Sequence, residues 1–183
     1  MAYNGPNAVA FAQRQSGRYG DGECWTLVED TIVGAGGKSS RVQTPNFGPL
    51  SSYVWGTVVT QAALQPGDAL QFTRYSWTQT VTTTVNNPDG SGTDDVSTET
   101  QTRGAPNHSA LVVRVLNSGL VEVIEQNIPS HTGQVQTIAL ALTALPDSST
   151  TTTTPIAGGN RVTVTTVTHA VTGTVACYRP VSA

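Results

Sequence analysis

The sequence predicts an α+β fold in which N-terminal helices pack on an antiparallel β-sheet, with an inserted β-hairpin. Three observations carry that expectation. The first forty of the 183 residues space their apolar side chains as helices do and stop at glycines. From Leu64 onward, short runs of Val, Leu, Ile and Thr alternate with turn signals. Between two such runs, residues 76–103 alternate Thr and Val with polar residues around Pro88-Asp89-Gly90, the pattern of a hairpin polar on both faces.

The length suits one domain, 1–183, with insertions at about 76–103 and 147–160. Charged residues make up only 11% of the chain, 9 Lys+Arg against 12 Asp+Glu, and Lys38 is the single lysine among 29 threonines. Such a balance excludes a basic nucleic-acid footprint and a polybasic membrane patch. No apolar run approaches the ~18–20 residues of a membrane-spanning helix, so no transmembrane segment is expected. The opening MAYNGPNAVAFAQRQ has neither the basic nor the long apolar region of a secretory signal, so no signal peptide is expected in it. With 37% hydrophobic residues the chain can fill a core.

Taken in order, residues 6–16 form a first helix, with Pro6 near its start and Ala8, Val9, Phe11 and Ala12 on its apolar side. Gly17 and Gly20 break it. A second helix runs from about 24 to 33, with Asp21 and Gly22 in cap positions and Gly34, Gly36 and Gly37 at its end. Residues 38–63 are loop-rich. Strands follow at 64–72, after a Pro-Gly-Asp turn that uses Asp68, and at 109–116 and 120–127, a hairpin turning at 117–119. Further strands are expected at 134–142, 161–167 and 170–180. Residues 147–160, rich in Ser and Thr, read as a low-complexity loop. Like the 76–103 stretch, that loop is expected to carry no acid–base or metal chemistry.

Chemistry concentrates at Cys24. The first turn of a helix offers unpaired N–H donors and the positive end of the dipole, and both favour a thiolate. A cysteine nucleophile also needs a base within hydrogen-bond reach and a group that orients the base. His108 opens the strand 109–116, and Glu125 and Asn127 end its hairpin partner. Side chains alternate along a strand, so 125 and 127 share a face that Gln126 does not. Pairing around 117–119 makes partner numbers sum to about 235–236. His108 then lies opposite 127 or 128, with Asn127 and Glu125 as direct and diagonal neighbours. The backbone N–H of Cys24 is a natural first oxyanion donor, with Tyr19 or a side chain of the 17–23 loop as options for a second.

The segments GDGECW (20–25), LQPGDALQF (64–72), NHSALVVRV (107–115) and VEVIEQN (121–127) resemble the CHAP family of cysteine- and histidine-dependent amidohydrolases and peptidases, relatives of the NlpC group with a papain-like core. The resemblance implies Cys24 as nucleophile, His108 as base, Glu125 as its orienter and Asn127 as further polar support. It also implies peptidoglycan as substrate, cut at the N-acetylmuramoyl-L-alanine amide or within the stem or cross-bridge peptide. Action would then lie outside the cytoplasm, by secretion, in a periplasm, or through delivery as an effector or phage lysin. Two departures stand out: Asn107 occupies a position where many members have glycine, and 15–23 holds only Asp21 and Glu23 as acids, too few for a calcium loop. No metal or cofactor is expected. Two other functions compete, a papain-like protease or amidase on non-wall substrates, and a non-catalytic β-rich binding or structural module. Cys177 reads as buried and inert, His131 and His169 as surface or structural residues, and Trp25, Trp55 and Trp77 as core or rim aromatics.

Overall fold

A computed structural model describes residues 2–128 and 131–183, without the side chains of 131 and 132. The expectation for His131 therefore lies outside what is described. The chain divides into two compact units. The first comprises Met1–Tyr75, Thr102–Leu142 and Thr172–Ala183, and the second Ser76–Gln101 and Thr143–Val171.

Helices come first in the first unit. α1 (Gly5–Gln13) starts at Asn4, whose side chain accepts a hydrogen bond from the Asn7 N–H, and has proline in its first turn. It ends three residues before the predicted stop. α2 spans Cys24–Gly34, as the glycine stops predict, and Gly36 takes a positive φ of 86° just beyond it. The loop-rich stretch contributes a helical turn, α3 (Ser40–Gln43), a short strand, β1 (Thr57–Val59), and a 3-10 turn at Gln61–Ala63.

Five further strands complete the unit: β2 (Ala69–Asn86), β3 (Gly92–Asn117), β4 (Leu120–Ile128), β5 (His131–Ala141) and, after β6 (Ser148–Ile156), β7 (Gly159–Arg179). Of the long strands only residues 69–75, 102–117 and 172–179 belong here. The sheet order is β1-β7-β2-β3-β4-β5. β3 and β4 pair antiparallel with Leu111 opposite Ile124 and Val112 opposite Val123, sums of 235 that match the expected register.

Both faces of this sheet are buried. On one, Leu111, Val113 and Ile124 meet Ala8 and Ala12 of α1, Leu27, Val28 and Ile32 of α2, and Trp55. The other holds Leu70, Phe72, Tyr75, Val112, Val123 and Leu140, all essentially inaccessible to water. The Tyr75 hydroxyl donates to the Ala141 carbonyl, although two strands separate β2 from β5. In a flat sheet those strands would stand ~14 Å apart, so the sheet curls until the second face closes on itself. That curl buries the second face without a helical layer. The protein is accordingly β-rich, with the two N-terminal helices packed on one face of an antiparallel sheet that outweighs them.

The second unit is a sheet of two hairpins. β6 pairs β7 in unbroken register from Ser148↔Val167 to Ile156↔Gly159, and threonine hydroxyls face each other across β2 and β3 (Thr78 with Thr100, Thr80 with Thr98). The expected Ser/Thr loop is therefore a strand. Threonine is β-branched and favours the extended backbone, a preference that low complexity conceals. His169 rests beside Trp77 and contacts Gln79 through Nε2, a structural placement.

Two glycines test the packing of the first unit with opposite signs. Gly67 has φ +92°, and a β-carbon there would collide with the Gly5 backbone beneath α1. Gly67→Ala should destabilise by ~1–3 kcal/mol in urea unfolding. Gly34 ends α2 with open space around it, so Gly34→Ala should stabilise by ~0.5–1 kcal/mol in the same assay.

Candidate active site

Cys24 is the first residue of α2, half-buried and free of any disulfide. Glu23 occupies the N-cap in an extended conformation, and no side chain caps the helix. The leading N–H groups are thus left without a side-chain acceptor, beside the thiol. Asp21, expected as a cap, instead accepts from the Glu23 N–H at 3.0 Å and tightens the loop, its carboxyl held low by the neighbouring Thr26 hydroxyl and that N–H. The loop is clamped from behind by Gln126 of β4. Its amide accepts from the Tyr19 N–H at 3.2 Å and donates to the carbonyls of Tyr19 (3.2 Å) and Glu23 (2.6 Å). Tyr19 itself turns its hydroxyl to Asp30, so its side chain is not available as the second oxyanion donor.

On the opposite face of β4, Glu125 is fully buried and every contact it makes is specific. His108 approaches with Nε2 at 2.9 Å from Oε2, and the Arg103 guanidinium spans both oxygens (Nε at 3.0 and 2.8 Å, Nη2 at 2.7 Å). Gln136, its cross-strand partner on β5, donates at 3.0 Å. Because Glu125 engages Nε2, Nδ1 is the nitrogen left free of Glu125, and His108 shares the lining of two cavities with Cys24. Burial disfavours the His108 cation, yet the neighbouring Cys24 and Glu125 outweigh it and lift the imidazole to about 9. Burial likewise works against the Glu125 anion, and His108 and Arg103 overcome it, bringing the carboxyl down to about 2.

The structure thus brings Cys24, His108 and Glu125 together. Asn127 lines a cavity with Cys24 and His108 but makes no hydrogen bond to the imidazole. A bulge between Gln126 and Ile128, with Asn127 at φ +63°, interrupts the alternation on which its expected position relied. Its Nδ2 donates to Glu23 at 2.9 Å, and not to the imidazole. Arg103 was missed. It sits at the end of a stretch expected to hold no acid–base chemistry, yet it is buried against the one carboxylate that matters most. Asn107, the departure from the glycine pattern, ties the loop at 45–50 to the sheet by donating to the Leu50 carbonyl and accepting from Thr73.

Two cavities meet at the Cys24–His108 pair. One, of about 390 Å³, runs past Leu50, Gly104, Asn107 and Asn127. The other, of about 490 Å³, runs past Trp25, Arg41, Phe47 and Tyr53. Asp68 fills its expected turn position and also holds Arg179 at 2.9 Å. Cys177 is buried, its thiol pushed up to about 11 by burial.

A thiol at a helix N-terminus, set against an imidazole that a sheet carboxylate holds from behind, is the layout of the papain-like cysteine proteinase folds. The chain belongs to the AIM3/BBC1 cysteine proteinase-fold domain family, whose description matches residues 3–147. Comparisons with curated proteins and with solved structures gave no significant match.

The buried network has a pH signature. His108 lies above its ordinary 6.5, so its stabilisation is whole below that pH and is lost as pH rises through about 9. Glu125 lies below its ordinary 4.5, so its stabilisation is whole above that pH and is lost as pH falls toward about 2. Thermal unfolding midpoints should form a plateau between about pH 4.5 and 6.5 and fall on both sides. Glu125→Gln, which strands Arg103, should cost ~3–5 kcal/mol on the plateau and flatten both flanks. An unchanged midpoint at pH 5.5 would show that the network contributes nothing.

Proposed function

We propose that the protein is a thiol hydrolase that cleaves amide bonds, with Cys24 as nucleophile, His108 as base and acid, and Glu125 as the residue that orients His108. One observation carries the reading: Cys24 and His108 line the same two cavities, while a buried, charge-compensated carboxylate holds His108 through Nε2. Cys24 Sγ would attack the amide carbonyl, and the Cys24 N–H at the start of α2 is placed to support the oxyanion. Protonated His108 then delivers its Nδ1 proton to the leaving amine. The thioester is hydrolysed by a water that the same nitrogen, now neutral, deprotonates. Glu125 keeps the proton on Nε2, and Arg103 and Gln136 keep Glu125 ionised and fixed.

The substrate follows from the CHAP resemblance, which favours peptidoglycan, cut at the N-acetylmuramoyl-L-alanine amide or in the peptide, and hence action outside the cytoplasm. The family match supports a second reading, a peptidase or amidase on other substrates. Wild type should clear a suspension of purified peptidoglycan and release soluble fragments identifiable by mass spectrometry, while Cys24→Ala should lose at least about a thousandfold in rate with its unfolding curve intact. Casein cleavage without peptidoglycan release would select the second reading. Equal activity in Cys24→Ala would refute the mechanism, and no cleavage of any amide would leave a binding module.

A further inference from the structure

The cavity on the Trp25 side of the thiol is lined by a cation, Arg41, that stacks on aromatic rings and pairs with no carboxylate among the described residues. Arg41 belongs to α3, and its guanidinium carbon lies 4.3 Å from the Trp25 ring centre and 5.0 Å from that of Phe47. The platform beneath it is rigid. Trp25 Nε1 donates to Ser40 Oγ at 2.8 Å, the Trp25 and Phe47 rings meet edge to face at 5.5 Å, and Tyr53 packs against both. Below Arg41 the backbone is fixed as well, for Ser39 Oγ accepts from the Arg41 N–H, and buried Glu29 accepts from the Ser40 N–H at 3.0 Å. Among the described residues Arg41 forms no salt bridge.

The cavity's two carboxylates, Asp21 and Glu23, form no salt bridge with Arg41 and accept from neutral donors instead. Asp21 accepts from the Glu23 N–H, and Glu23 accepts from Asn127. A planar guanidinium stacked on aromatic rings is weakly hydrated and keeps its N–H fork free at the edge, the geometry that pairs with a carboxylate. The same cavity is lined by Cys24 and His108, so whatever Arg41 holds shares that cavity with the bond attacked at Cys24.

From this we infer that the cavity is a recognition subsite for a carboxylate on the substrate, with Arg41 as the specificity-determining residue and Trp25, Phe47 and Tyr53 as the wall for the attached carbon chain. The inference rests on the proposed thiol chemistry for its setting. The carboxylate is either a side chain next to the scissile amide or the free end of a short peptide.

Two measurements test it. In the first, matched amide substrates carry glutamate or glutamine beside the scissile bond, or a free or an amidated terminus. Wild type should favour the charged member of one pair by about fivefold in kcat/KM, as for a partly exposed ion pair. Which pair responds identifies the source of the carboxylate. Arg41→Gln should abolish the preference, and Arg41→Lys should keep part of it. The second measurement needs no turnover. Cys24 Sγ displaces iodide from iodoacetate or from iodoacetamide, forming one C–S bond and releasing one iodide in each case. The ratio of the two alkylation rates should drop about fivefold in Arg41→Gln relative to wild type, with His108 unchanged in both proteins. An equal ratio in the two proteins overturns the inference, whether or not any amide is cleaved. Absence of cleavage with a lowered ratio counts against the hydrolase reading alone.

Discussion

Glu125 is an anion with no access to water, and a bare carboxylate in such a place would cost several kcal/mol or take up a proton. Everything around it answers that constraint. Arg103 supplies the opposite charge and grips both oxygens, Gln136 adds a neutral donor, and His108 takes the remaining direction on Oε2. A carboxylate compensated in this way is a poor proton acceptor. It can hold the imidazole without taking the imidazole's proton, which leaves His108 free to exchange that proton on its other side. The curl of the sheet makes this possible, because it closes β2 toward β5 and excludes water from the face that carries Glu125.

One strand sets both halves of the site. Consecutive side chains of β4 point to opposite faces. Glu125 is directed to the second face and His108, while Gln126 is directed to the first and grips the loop that precedes Cys24. The thiol and the imidazole arrive from different elements, a helix start and a strand end, yet both are referenced to two adjacent residues of one strand. The bulge that follows limits the arrangement to those two, and turns Asn127 to a different task, holding Glu23 at the helix cap.

What was legible in the sequence follows the same physical division. Local signals placed α2 to within a residue, and the turn at 117–119 fixed the β3–β4 register, from which the meeting of His108 with Glu125 follows by arithmetic. Alternation holds only while the ladder is regular, and so Asn127 was misplaced. Arg103 was illegible for another reason. A lone charge ending a polar, threonine-rich run reads as solvated, and only the tertiary fold reveals that the strand carries it under the sheet. The strand β6 was hidden because composition signals polarity, whereas the backbone responds to β-branching.

Two buried carboxylates in this protein can be compared, and the comparison separates structural from chemical use. Asp68 is nearly inaccessible, but its partner Arg179 is partly exposed, and the pair is explained by what it joins: the turn at 65–68 and the last strand. A pair with one end in water suffers little desolvation and needs no further purpose. Arg103 and Glu125 are both buried, and apolar residues of similar volume would generally hold a fold at least as well. Nor does the pair neutralise itself completely, since it leaves one direction of Glu125 for a titratable imidazole at the mouth of two cavities. Stability alone gives no reason to maintain a third ionisable group in that place. The proton transfer proposed at Cys24 would, because a base that must also serve as an acid needs a fixed orientation and a cation stabilised by a neighbour that will not accept its proton.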